Sequence, residues 1–183
     1  MKEKLKAFSF LAPALLIYII IIVFPGIYSV VLSLFEWNGV AEKRFVGLAN
    51  YVKLFTNDDI FRIALKNNVI WIVLTVCITV VLALILALVL NGKFTGRIVY
   101  RSIFYFPYML SWIVIGIIWK WMYNPNFGMI NTFLGAVGLD SLKGSYLSNP
   151  KIALYCIFAA ALWQGLGQPM LYFLAGLQTM SSD

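Results

Sequence analysis

From Val69 to Leu90 the chain runs for 22 residues without a charge. An α-helix needs about 20 mainly apolar residues, at about 1.5 Å each, to cross a bilayer core of about 30 Å. The run shows none of the period-two alternation of a barrel strand, and lipid leaves no water to satisfy open backbone groups, so a transmembrane helix is the expected form. Three further runs are long enough to do the same. They are about 10–34, interrupted by Pro13 and Pro25; about 103–123, with Pro107 near its start and Lys120 near its end; and about 152–177, again uncharged. The expected fold class is all-α, a polytopic transmembrane helical bundle of four spans (10–34, 69–90, 103–123 and 152–177) in a single domain, 1–183.

Composition agrees with lipid as part of the solvent. Of the 183 residues, 62% are hydrophobic and 11% charged, against about 45–50% and about 25% in soluble domains. The opening Met1–Lys6 followed by an apolar stretch looks like a signal peptide. The stretch from Phe8 to Phe35 is too long for one, however, and no small-residue cleavage pattern closes it, so it reads as a retained anchor.

The charges set the expected orientation. Fourteen basic residues against seven acidic ones give +7. They lie in short connectors, a pattern that fits retention at an anionic leaflet and not nucleic-acid binding. Residues 1–7 carry Lys2, Lys4 and Lys6 against Glu3, and 91–101 carries Lys93, Arg97 and Arg101 with no acid. In 36–68 the basic residues are diluted by Glu36, Glu42, Asp58 and Asp59. Basic density therefore puts 1–7 and 91–101 in the cytoplasm, and four crossings return Gln178–Asp183 to the same side. Asn50–Lys66 mixes apolar and polar residues as an amphipathic element at the outer interface, with Asp58 or Asp59 capping the helix that follows. Trp112, Trp119, Trp121 and Tyr123 read as an aromatic belt beside a snorkelling Lys120.

What the chain lacks narrows its chemistry. The four runs hold no Asp, Glu, His or Arg, so proton relays and ion-coupled carriage have little to work with. There is no histidine, and Cys77 and Cys156 sit inside apolar runs, which leaves no expected metal site, disulfide framework or catalytic residue. One intramembrane stretch is polar without being charged: Trp163-Gln164-Gly165-Leu166-Gly167-Gln168-Pro169. Proline and two glycines weaken the helix there, and Gln164 and Gln168 share a face if it continues. Trp163, Gln164 and Gln168 are the expected lining of a path for an uncharged solute, with a plain proline kink and helix-to-helix hydrogen bonds as the other reading. Ala83 and Ala87 read as a small-residue packing seam. A self-contained channel or carrier, or a scaffold, stays open on these grounds.

The order and spacing of several short pieces resemble the permease subunits of bacterial binding-protein-dependent ABC sugar importers, the maltose-type permease family. They are Leu11-Ala-Pro13, Phe24-Pro25 and Ser33-Leu-Phe35; Phe45-Val-Gly-Leu-Ala-Asn-Tyr51, Leu54-Phe55 and Phe61-Arg-Ile-Ala-Leu-Lys-Asn67; Leu90-Asn91, Gly96-Arg97, Tyr100-Arg101 and Phe106-Pro107; and Trp119-Lys-Trp-Met122, Gly128-Met-Ile-Asn131 and Leu174-Ala-Gly-Leu-Gln178. The resemblance implies a multi-pass protein of the bacterial inner membrane that helps translocate a carbohydrate. Its implied partners are a second permease subunit, two cytoplasmic ATP-binding subunits and an extracytoplasmic sugar-binding protein. ATP is then used by a partner subunit, and this chain carries no cofactor and is not an enzyme. In the family a segment such as Gln178–Asp183 leads into a Glu-Ala-Ala loop that docks on the ATPase, followed by two more helices. The resemblance reads this chain as the first four of six spans, ending before that loop.

Overall fold

The structure is a computed structural model. It describes the backbone of residues 2–180, and the side chains within that range except 2–7, 9 and 180. The basic side chains of 1–7 and the last residues of Gln178–Asp183 lie outside the described residues. The chain divides into two compact units, Met1–Leu65 and Lys66–Asp183.

In the first unit α1 (Lys2–Tyr18) runs through a π-helical turn, Ile19–Val23, into α2 (Phe24–Leu32). Pro13 lies inside α1, and Pro25 sits in the first turn of α2, where a missing N–H costs least. Phe10–Leu32 is long and apolar enough to cross a membrane. A two-residue hairpin follows, β1 (Phe35–Glu36) antiparallel to β2 (Arg44–Phe45), pairing Phe35 with Phe45 and Glu36 with Arg44. Within its loop the Asn38 side chain accepts from the backbone of Val40 and Ala41 at 3.1 and 2.8 Å. Asn50 donates to the carbonyls of Ser33 and Phe35 from α3 (Ala49–Asn57), tying that helix to the hairpin.

The amphipathic segment expected over Asn50–Lys66 is not one element: it is cut at Asp58. The Asp58 carboxylate accepts from the backbone N–H of Phe61 at 2.9 Å, the expected cap, and starts α4 (Asp59–Leu74). A second π-helical stretch, Thr75–Val80, links α4 to α5 (Val81–Asn91), so that Asp59–Asn91 is one helix of 33 residues. The run expected to span at 69–90 is therefore the later part of a longer helix.

The third expected span departs most. Residues 103–123 do not form one helix. Arg97–Met109, made of α6 (Arg97–Tyr105) and a 3₁₀ turn at Phe106–Met109, meets α7 (Trp112–Met122) at 97°. Pro107 lacks the N–H that would continue the ladder, Leu110 and Ser111 take extended conformations (ψ 142° and 150°), and the Ser111 side chain accepts from Val114 N to start α7 afresh. The fourth run is divided as well, at Leu166, into α9 (Ala153–Gly165) and α10 (Gly167–Met180). Among the described residues, two helices are long and apolar enough to cross a membrane, or three if the bent pair is one span, while α9 at 13 residues falls short alone. Between α7 and α9 lies α8 (Met129–Ala136). Its buried Asn131 holds the following loop by donating to the carbonyls of Pro125 and Gly144 and accepting from Gly144 N.

The core of the second unit is the seam of α5 and α10. Ala83 and Ala87, both fully buried, and Leu90 meet Met170 and Leu174. Two alanines four apart leave room for close approach, the packing role expected for them. On its other side α10 touches α6, and Gly167 permits it: a Cβ there would lie 2.6 Å from the Phe104 carbonyl oxygen and 2.7 Å from the Tyr105 Cα.

Candidate functional site

Where α9 hands over to α10, Leu166 keeps helical angles (φ −68°, ψ −32°). Its N–H still donates to Leu162 O, and Met170 N donates to Leu166 O across the break. The handover therefore preserves the facing of residues on either side. Gln164 and Gln168 both line one groove of about 420 Å³. Its far wall is the π-helical stretch after α4, which supplies Thr75 and Thr79, and its end is closed by Tyr108 and Trp112 at the bend between α6 and α7. The volume is of the order of a small-molecule site, about 300–1,000 Å³.

The polar groups of this groove differ in how far they are engaged. The Gln168 amide nitrogen donates to the Tyr172 hydroxyl at 2.8 Å. Gln164 is 4% exposed, and among the described residues neither its amide nor the hydroxyls of Thr75 and Thr79 has a hydrogen-bond partner. The Gln164 amide atoms are not among the fully buried unpaired ones, so they keep contact with the groove, where water or a solute can answer them. Gly165 also lines the groove, and a Cβ there would meet nothing within 4 Å, so its missing side chain enlarges the space. With Trp71, Trp112, Phe158 and Leu162 as apolar wall, the arrangement offers uncharged donors and acceptors between flat apolar surfaces. Trp163 stands apart from it: its ring packs edge-on against Trp119 with centroids 6.0 Å apart.

A second cavity, about 210 Å³ and nearly all apolar, adjoins the first and shares Trp71, Trp112 and Ala161 with it. Trp119, Lys120 and Tyr123 line it. The four aromatics expected as an interfacial belt thus divide. Trp112 and Trp121 are well exposed, at 63% and 67%, whereas Tyr123 is buried, its hydroxyl donating to Cys156 O at 3.1 Å and its ring 5.3 Å from that of Trp119. Residues 119 and 123 lie one turn apart on the inner side of α7; 121 is on the opposite side.

Thr75, Thr79 and Tyr108 are groove residues that the sequence reading did not single out. A signal for the threonines was present: two hydroxyls at i and i+4 in a charge-free run. Helix interiors tolerate Ser and Thr by back-bonding to their own backbone, so the pattern is easily read as neutral. Among the described residues no group of three or more His, Cys, Asp or Glu stands together to hold a metal.

Long apolar helices, broken helices and an uncharged polar groove define a helical membrane protein built on interrupted segments. No protein-family model matches the chain. It is 38% identical over 172 residues to a probable ABC transporter permease protein of Pyrococcus horikoshii, covering 93% of this chain and 59% of that one. It is 30% identical over 183 residues to the arabinooligosaccharides transport system permease protein AraP of Halalkalibacterium halodurans, covering 99% and 56%. Its fold is that of a chain in a crystal structure of the bacterial alginate ABC transporter in complex with alginate pentasaccharide-bound periplasmic protein. The TM-score is 0.80 at 21% identity, over all of this chain and 59% of that one. The chain is thus homologous over nearly its whole length to ABC transporter permeases, and it spans about three-fifths of the length of the relatives it matches.

Proposed function

We propose that the chain is part of a permease subunit that translocates a carbohydrate for an ATP-binding-cassette importer. The observation that carries this is homology along practically the whole chain to ABC permeases, AraP among them, whose name specifies arabinooligosaccharides. The uncharged groove fits the same reading. A neutral polyol asks for hydrogen bonds and flat apolar faces, and no Asp, Glu, Lys or Arg is among the residues lining the groove. Gln164 and Gln168, together with Thr75, Thr79 and Tyr108, form the solute path in this proposal, with Trp163 as its aromatic neighbour beside Trp119.

In the assembled importer this chain does no bond chemistry of its own. It works with a second permease subunit, cytoplasmic ATP-binding subunits that spend the ATP, and an extracytoplasmic sugar-binding protein. In this proposal the protein crosses a bacterial cell (inner) membrane four times within one permease domain, with both ends of the chain cytoplasmic. Basic density in 1–7 and 91–101 supports that orientation. The bent pair α6–α7 and the divided pair α9–α10 count as one crossing each.

Replacing Gln164 and Gln168 with leucine in the permease, assembled with its partners, tests the path. Normal assembly with impaired uptake or altered sugar preference is the expected result. Unchanged uptake and preference in both single variants and the double variant would remove the two glutamines from the path. Reduced assembly alone would make them packing residues.

A further inference from the structure

The connector between α5 and α6 holds three basic residues, and they are used differently. Arg101 is turned inward: its Nη2 donates to the Leu90 carbonyl at 2.6 Å, fastening α6 to the end of α5. Lys93 and Arg97 have no hydrogen-bond or ion-pair partner among the described residues, and together with Phe94 and Thr95 they line a cavity of about 420 Å³. Gly96, at φ +86°, makes the turn that brings Arg97 round to the same cavity as Lys93. No acidic residue lies in 91–101 to neutralise them.

The surroundings are apolar and open. Ile98, Val99 and Ile103 on α6 are 71%, 60% and 59% exposed, and Phe94 is 40% exposed with its ring 6.0 Å from that of Tyr100. Two cations without a protein partner on an open concavity beside Phe94, followed along α6 by exposed aliphatic side chains, match a molecule that is anionic at one end and hydrocarbon along the rest. A soluble anion would have no use for the apolar border, and a protein partner would bring carboxylates needing no cavity. We propose that this connector binds the phosphate headgroup of an anionic phospholipid, with Lys93 and Arg97 on the phosphodiester and the apolar side of α6 along the acyl chains. Arg101 is a positioning residue, holding the loop in shape.

The test is lipid retention by the full chain extracted in mild detergent, read by native mass spectrometry after exchange into equal phosphatidylglycerol and phosphatidylcholine. Wild-type protein is expected to retain phosphatidylglycerol preferentially. The Lys93→Gln/Arg97→Gln pair should lose on the order of tenfold of that preference, since each basic group near an anionic surface contributes appreciably. Each single variant should lose part of it, which keeps a result available if the double variant folds poorly. Lys53→Gln/Lys151→Gln, removing the same charge elsewhere, should keep the preference. The proposal is overturned if the two pairs behave alike. Displacement of phosphatidylglycerol by millimolar inorganic phosphate also overturns it, since the site would then be one for free anion. So does unchanged lipid retention in the Lys93/Arg97 pair together with weakened binding of an ATP-binding subunit, which would make the connector a protein contact.

Discussion

Gly165 and Gly167 are two residues apart in one polar stretch and have opposite surroundings. A methyl group at 165 would project into the open groove, while one at 167 would strike the backbone of α6 at Phe104 and Tyr105. Backbone yields less readily than a side-chain tip, so overpacking at 167 is expected to cost about 1–3 kcal/mol. Gly167→Ala should therefore lower the unfolding midpoint of the purified chain, whereas Gly165→Ala should leave it near wild type and alter only the groove. Equal midpoints for the two variants would contradict the packing described. The sequence reads both glycines as helix weakeners, because propensity is a property of the residue and clash a property of its neighbour. The glutamines stand out in the sequence because polar groups in an uncharged run are conspicuous whatever surrounds them, and the structure puts both on one groove. Trp163, expected beside them, packs its ring against Trp119 and is not among the residues lining the groove.

At the level of elements, the unbroken apolarity of 103–123 conceals a right-angle bend. Hydropathy reports what surrounds a segment and is silent on its direction. The signals for the bend were Pro107 and Ser111, one blocking the ladder and the other capping a new start. Spin labels at Ile98 and Trp121, both well exposed, measure the consequence. A straight helix would separate the two positions by about 35 Å, and a near-perpendicular pair by about 25 Å. The shorter distance is expected, and the longer one would mean a continuous span. Ala83 and Ala87 were read correctly as a packing seam, because two small residues four apart carry that meaning without knowledge of the partner helix.

For the whole molecule, crossing number and sidedness rest on charge placement, which the helices alone do not fix. A periplasmic reporter fused near residue 96 should be inactive and one near residue 140 active; the reverse pattern would invert the proposed orientation. The family was legible through the order of short pieces that individually say little, and homology to ABC permeases agrees with it. The central claim is that the protein moves a carbohydrate at the expense of ATP hydrolysed by partner subunits. The most direct measurement is accumulation of labelled oligosaccharide in proteoliposomes holding the intact importer and its binding protein. Accumulation should require both ATP and the binding protein, and should persist when ion gradients are collapsed. Accumulation that needs an ion gradient and ignores ATP would contradict the account.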